Sequence, residues 1–185
     1  KKWSEVPLRL IMDSIVRVTF PAYARLQHEK GVFSKALEKS FFFLRLCIFP
    51  ISIGLVLMIK PLIGIIPKYG KWEPALISFY LFTFSALLAG LSSPLVNALN
   101  AIGKVSWTLK LMILWTTLTW ILIPVSIMVF GFNGVAGTAV IISSTAFLPL
   151  LILRQFVSFS FLRFIIKPFI ATVCMAIIVI AVLWG

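Results

Sequence analysis

The sequence predicts an all-α, polytopic integral membrane protein built as a helical bundle. Of its 185 residues, 61% are hydrophobic and only 12% are charged, whereas soluble domains carry about 25% charged residues. The chain also contains long apolar blocks, and about 20 mostly apolar residues are enough for one membrane-spanning helix. So few polar side chains cannot cover a water-facing surface, and most of the chain is therefore expected inside a bilayer.

The apolar blocks predict five membrane spans. Residues 111–153 carry no charge and are about two spans long. The Asn133-Gly134 dipeptide near the middle of this block is a turn signal, which predicts a helical hairpin. The five spans are expected at about 41–59, 75–101, 105–130, 134–153 and 165–184.

The first 24 residues form a separate element that carries a line of charges. Glu5, Arg9, Asp13 and Arg17 follow one another at four-residue spacing, which places them on one face of a helix and allows i,i+4 ion pairs. We call these four residues the charged stripe. Segment 1–24 is either a sixth membrane helix with one polar side or an amphipathic helix on the membrane surface.

The connecting segments predict the orientation, because Lys and Arg accumulate on the cytoplasmic side of membrane proteins. Segment 25–39, an amphipathic connector, together with segments 102–110 and 154–167, holds nine basic residues. Segments 60–73 and 131–133 hold three. We therefore expect the first three segments in the cytoplasm and the other two outside.

The sequence argues against several other classes of protein. The net charge of +12 comes from Lys and Arg residues that punctuate apolar runs, rather than from one basic soluble face, so no nucleic-acid partner is expected. The two cysteines and the single His28 suggest no metal site, and no cofactor is expected. No catalytic motif occurs, so a carrier or scaffold is favoured over an enzyme. A membrane-embedded glycosyl- or acyltransferase is the alternative from the enzyme class.

Two further basic residues lie inside predicted spans. Arg45 falls one turn into the first span and Lys110 falls inside the third. Both are near the predicted cytoplasmic end, so their long side chains could simply reach back to the interface. Alternatively, they line a vestibule that binds phosphate.

The order of several short segments resembles one family. They are residues 5–7 (EVP), 20–27 (FPAYARLQ), 44–47 (LRLC), 61–63 (PLI), 70–75 (GKWEPA), 97–104 (NALNAIGK) and 131–137 (GFNGVAG). Together they resemble the C-terminal lobe of polysaccharide (O-antigen type) flippases in the multidrug/oligosaccharidyl-lipid/polysaccharide exporter superfamily. The first 60 residues are also similar to the peptidoglycan-precursor flippases of that superfamily.

The resemblance implies that the chain is most of one lobe of a two-lobe transporter with a central cavity. Its substrate would be an oligosaccharide on a polyprenyl pyrophosphate, flipped across the bacterial cytoplasmic membrane for O-antigen and lipopolysaccharide synthesis. Membrane lipids and polysaccharide polymerase or ligase machinery would be its other partners. A multidrug or cation antiporter of the same superfamily is the alternative.

The resemblance and the charges together give the candidate site. The pyrophosphate requires cations in a low-dielectric cavity, where charge-assisted hydrogen bonds are strong. Lys2, which stands where related flippases carry a basic residue before the Glu-x-Pro element, is one candidate. The other substrate-binding candidates are Arg9, Arg17 and Arg45, and the cavity charge partners are Glu5 and Asp13.

Overall fold

The computed structural model describes residues 2–65, 73–157 and 163–184, and within them every regular element is a helix. The helices are α1 (Lys2–Leu26), α2 (Lys30–Ile65), α3 (Leu76–Ala101), α4 (Val105–Phe130), α5 (Phe132–Ser144), α6 (Phe147–Arg154) and α7 (Arg163–Trp184). A short 3₁₀ turn at 73–75 precedes α3. The chain is thus an all-α helical bundle, as its composition predicts.

Four helical stretches in the described part of the chain are long and apolar enough to cross a membrane. They are Gly31–Gly64, Glu73–Ala101, Val105–Phe130 and Phe132–Arg154. The predicted span 165–184 coincides with α7, a helix of 22 residues. These lengths and compositions identify a polytopic membrane protein.

Helix α1 packs along α2 and α3 and does not lie apart from the bundle. Near its C-terminal end, the Tyr23 ring lies 5.5 Å from the Phe33 ring of α2. Three turns earlier, Met12 packs against a buried cluster that includes Ile48 of α2. Since Ile48 lies near the middle of the first predicted span, α1 reaches membrane depth. This packing favours a sixth bundle helix over a helix on the membrane surface.

Helix α2 is longer than the sequence predicts. Segment 25–39 is not a separate connector, because one helix of 36 residues begins at Lys30 and continues through the first predicted span to Ile65. No proline interrupts it before Pro50, and Ser40 donates a hydrogen bond to the carbonyl of Ala36 within the helix, 2.9 Å away. At 1.5 Å per residue, α2 is about 54 Å long, which exceeds the hydrocarbon thickness of a bilayer.

The predicted hairpin is present, but its connection is shorter than predicted, because α5 begins at Phe132 rather than at residue 134. Helix α4 ends at Phe130 and α5 begins at Phe132, so Gly131 alone reverses the chain. Its φ of 59° lies in the left-handed region, which glycine adopts without the steric penalty of a side chain. Asn133 and Gly134 therefore belong to the first turn of α5 rather than to the connection.

The predicted span 134–153 is two helices, α5 and α6. The helix stops at Ser144, and Thr145 and Ala146 form a turn before α6. Pro149 explains the break because it has no N–H to donate to the Thr145 carbonyl. That carbonyl instead accepts a hydrogen bond from the N–H of Leu148, 2.9 Å away.

Hydroxyl groups join α3 to α5. Ser78 donates a 2.6 Å hydrogen bond to Oδ1 of Asn133. Further along, Ser85 donates to the carbonyl of Ala139 at 3.1 Å, and its hydroxyl lies 2.8 Å from that of Ser143. Such polar contacts hold membrane helices together where lipid offers no competing hydrogen bonds. The Ser78–Asn133 bond also places segments 73–78 and 131–133 at one end of the bundle.

The opposite end of the bundle gathers the three segments predicted to be cytoplasmic. Gln27, Lys104 and Gln155 line one shared depression there. Each comes from a different predicted cytoplasmic segment. The structure therefore places the basic segments together at one end of the bundle, as the charge pattern predicts. That this end faces the cytoplasm remains a prediction from the loop charges.

Candidate functional site

Helix α1 has a packed face and an open face. Met12 and Tyr23 lie on the packed face, where Tyr23 is fully buried in the core cluster. Asp13 and Arg17 lie on the open face, and both are exposed. The four-residue spacing that defines the charged stripe thus turns these two charges away from α2 and α3.

The other members of the predicted site on α1 are less fully described. Lys2, Glu5 and Arg9 belong to the helix, but their side chains lie outside the described residues. Their place on the open face remains a prediction from helical spacing. Among the side chains that the structure describes, Asp13 and Arg17 form no ion pair with each other. Both charges therefore remain directed outward.

The depth of Asp13 and Arg17 in the membrane indicates what surrounds the open face of α1. Met12, the neighbour of Asp13, contacts the cluster at Ile48, which is near the middle of the first predicted span. A charged side chain at the bilayer centre costs about 2.5–3.5 kcal/mol on insertion scales, and such groups persist where they face a bundle interior or a water-filled cavity. Asp13 and Arg17 consequently fit a polar environment better than lipid.

Arg45 does not join the charged stripe. It is 1% exposed, and its guanidinium carbon lies over the Phe41 ring, 5.0 Å from the centroid. Phe41 is one turn closer to the N-terminus of α2, so the side chain leans toward the predicted cytoplasmic end, as helical side chains commonly do. An anion on the open face of α1 would not reach this buried group. Arg45 thus lies apart from the open face of α1 in this structure, and its role in substrate binding stays a prediction.

Lys110 makes a similar contact on the surface. Its Nζ lies 4.6 Å from the centroid of the Trp107 ring, one turn earlier in α4. Lys110 is exposed, and this ring contact points its ammonium toward the predicted cytoplasmic end. Reaching back to the interface accounts for this lysine without a phosphate vestibule.

The sequence prediction missed the depression at the predicted cytoplasmic end. It has a volume of about 230 Å³, and its polar lining residues are Gln27, Lys104 and Gln155. A signal was present, since Gln27 and Gln155 are the only glutamines in the chain. Each lies in a predicted cytoplasmic segment, but only the fold shows that the segments meet.

The bundle and the open face of α1 together define a class of protein. It is an all-α, multi-pass membrane protein that presents ionisable side chains at membrane depth on an otherwise apolar scaffold.

Residues 1–77 match the family described as "Polysaccharide biosynthesis protein". This match confirms the resemblance to the polysaccharide family over the part of the chain that includes α1, the charged stripe and α2. It associates the chain with polysaccharide biosynthesis. No curated protein and no solved structure gives a significant match.

Proposed function

We propose that the chain is part of a flippase that moves a polyprenyl-pyrophosphate-linked oligosaccharide across the bacterial cytoplasmic membrane. The product would supply surface polysaccharide such as the O-antigen of lipopolysaccharide. One observation carries the proposal: α1 packs into the bundle at membrane depth while Asp13 and Arg17 remain exposed on its open face. The match of residues 1–77 to a polysaccharide biosynthesis family supports the choice of substrate class.

The open face of α1 would form one wall of a cavity closed by a second lobe. Arg17, together with Arg9 and Lys2, would bind the pyrophosphate, because charge-assisted hydrogen bonds to phosphate are strong in a low-dielectric space. Asp13 and Glu5 would neutralise these cations when the cavity is empty. The polyprenyl tail would stay in the bilayer, so the protein needs to shield only the polar head.

The buried Arg45 has a different part in this proposal. Its contact with Phe41 lies within a single helix, which would stabilise the N-terminal half of α2 against which α1 packs. Arg45 would thus support the cavity wall without touching the substrate. We propose a carrier rather than an enzyme, since the protein would bind the charged head of the substrate and move it across the membrane without breaking a bond.

The proposal is tested by replacing Arg17 in cells whose surface glycan depends on this protein. Arg17→Ala should lower glycan export about tenfold or more, because a hydrogen bond to a charged group contributes about 1.5–3 kcal/mol. Membrane insertion and protein level should remain normal, since removing a charge from membrane depth is not costly. Arg17→Lys should restore export partly, because lysine keeps the charge but not the bidentate geometry.

Lys35→Ala is the matched control, since Lys35 is also an exposed cation but lies near the predicted cytoplasmic end of α2. It should export glycan normally. Normal export by Arg17→Ala would remove the charged stripe from the substrate site.

The multidrug or cation antiporter is the second candidate, because the exposed Asp13 on the open face could bind a cation. Asp13→Asn separates the two. An antiporter would lose drug resistance or cation exchange in this variant while Arg17→Ala retained it. A flippase would show its larger loss with Arg17→Ala.

A further inference from the structure

We propose that the depression at the predicted cytoplasmic end is a binding site for a phosphate anion. This site is separate from the charged stripe and does not depend on the proposed transport. It is formed where four parts of the chain meet: the end of α1, the first turn of α2, the turn between α3 and α4, and the end of α6. Gln27, Lys104 and Gln155 supply its polar groups.

The position of Lys104 favours a ligand at the membrane–water interface. This residue separates two candidate spans, Glu73–Ala101 and Val105–Phe130, so it lies at the end of both. The chain turns sharply before it, with Gly103 at a φ of 75°. Its backbone N–H donates to the carbonyl of Leu99, 2.9 Å away, which fixes the main chain. Phosphate groups of membrane lipids occupy this level of the bilayer.

The side chains around Lys104 provide the chemistry of an anion site. The Lys104 ammonium lies 4.9 Å from the centroid of the Phe156 ring, a cation–π contact that holds the charge beside the depression. The amides of Gln27 and Gln155 each carry two N–H donors and no charge. All three side chains are exposed, so one cation and two neutral amides are open to a phosphate oxygen that approaches from the membrane–water interface.

The chain contains only two glutamines, and both contribute to the depression. Gln27 and Gln155 are far apart in the sequence, yet both line this one depression. The charges that flank them in sequence are mostly positive, with Arg25, Lys30 and Arg154 against the single carboxylate of Glu29. This excess of positive charge in the neighbouring sequence would attract an anion.

The size of the depression limits the ligand. Its volume of about 230 Å³ is below the range of about 300–1,000 Å³ that is typical of pockets for drug-sized molecules. Phe33 and Phe156 line part of the wall, which suits an apolar group next to the phosphate. The ligand class is thus a small phosphate group, carried either by an anionic lipid or by a soluble molecule.

The test measures binding of phosphatidylglycerol to the purified full chain in detergent by native mass spectrometry, with zwitterionic phosphatidylcholine as the reference lipid. Lys104→Gln should weaken phosphatidylglycerol binding by up to about fivefold, because Lys104 is exposed and an exposed charge pair contributes up to about 1 kcal/mol. Lys110→Gln, which removes an exposed cation from the same end but outside the depression, should bind normally. Lys104→Arg should retain binding.

Gln155→Leu provides an independent variant on another element, and it should also weaken binding while Lys110→Gln does not. Inorganic phosphate is then added as a competitor to identify the source of the anion. Displacement of the lipid by phosphate indicates a soluble ligand, and retention of the lipid indicates a headgroup site. The proposal is overturned if the wild-type chain binds neither probe, or if Lys104→Gln and Lys110→Gln lose affinity equally.

Discussion

Helices α1 and α4 both present an open face, but the two faces differ in chemistry. The open face of α1 is mixed, since it carries Asp13 and Arg17 beside the exposed apolar side chains of Leu10 and Val18. That of α4 is formed by large apolar side chains, among them Trp120 at 76% exposure and Met128 at 86%. An apolar face suits hydrocarbon, whereas ionisable groups at membrane depth require water, partners or both. An exposed face of a helix in this chain therefore does not have to contact lipid. Whether it contacts lipid or water depends on the chemistry of its side chains.

The packed faces of the same two helices also differ. Helix α4 meets α5 so closely that a Cβ added at Gly134 would overlap the backbone carbonyl of Ser126. Thr138, one turn later, donates a 2.6 Å hydrogen bond to the Ser126 hydroxyl. At Gly90, α3 instead meets flexible side chains of both α1 and α2, since a Cβ there would lie 3.2 Å from Met12 Sδ and 2.8 Å from Ile48 Cδ1. The α4–α5 hairpin is therefore expected to be the more rigid contact.

The largest effect on stability is expected from Gly134→Ala. Overpacking typically costs about 1–3 kcal/mol, and the upper end applies here because the obstacle is backbone that cannot rotate away. Unfolding in mixed micelles would measure the loss. Gly137→Ala is the matched control on the same helix, because a Cβ there has open space. Alanine should stabilise that position by roughly 0.5–1 kcal/mol. Equal stability of the two variants would show that the hairpin is not close-packed.

A charge on the open face of α4 should have the next largest effect. Ile121 is 57% exposed, and its neighbours Trp120 and Val125 are exposed at 76% and 56%. Ile121→Asp should cost about 2.5–3.5 kcal/mol of insertion free energy if this face contacts lipid. A glycosylation-based insertion assay would measure the loss, and Ile121→Leu would serve as the control. Unimpaired insertion of Ile121→Asp would mean that the open face of α4 also contacts water.

A smaller effect is expected where α1 crosses α3. Gly90→Ala should change the free energy of unfolding by less than about 1.5 kcal/mol, because the ends of Ile48 and Met12 can move aside and alanine favours the helix. The same unfolding assay would compare it with Gly134→Ala. A loss as large as that of Gly134→Ala would contradict the view that α1 is held by adaptable side chains.

The sequence predicts the helices of this protein better than their connections. Apolar length and the absence of charge locate α3 and α4 to within a residue or so of the predicted spans. The start of α5 at Phe132 and the break before Pro149 were not predicted, because both depend on which backbone groups find partners in the folded bundle. Local propensity at Asn133-Gly134 pointed to a turn, but packing of Gly134 against Ser126 kept that dipeptide helical.

The candidate site was predictable only in part. Four-residue spacing places the charges of α1 on one face, which the exposure of Asp13 and Arg17 reflects. Spacing cannot show which neighbours enclose a side chain, so Arg45 was assigned to the site although the fold buries it. The depression at Lys104 depends on three segments that are remote in sequence, and no periodicity reveals such a meeting.

Cysteine accessibility measures directly whether the open face of α1 lies in water at membrane depth. The native Cys47 and Cys174, both exposed, are first replaced by serine. Ser14→Cys, beside Asp13 on the open face, is then compared with Ile121→Cys on α4, using a membrane-impermeant maleimide on membranes opened to both sides. Thiols react as thiolates, which form only in contact with water. The account predicts that Ser14→Cys is labelled and Ile121→Cys is not. Protection of both cysteines would contradict it.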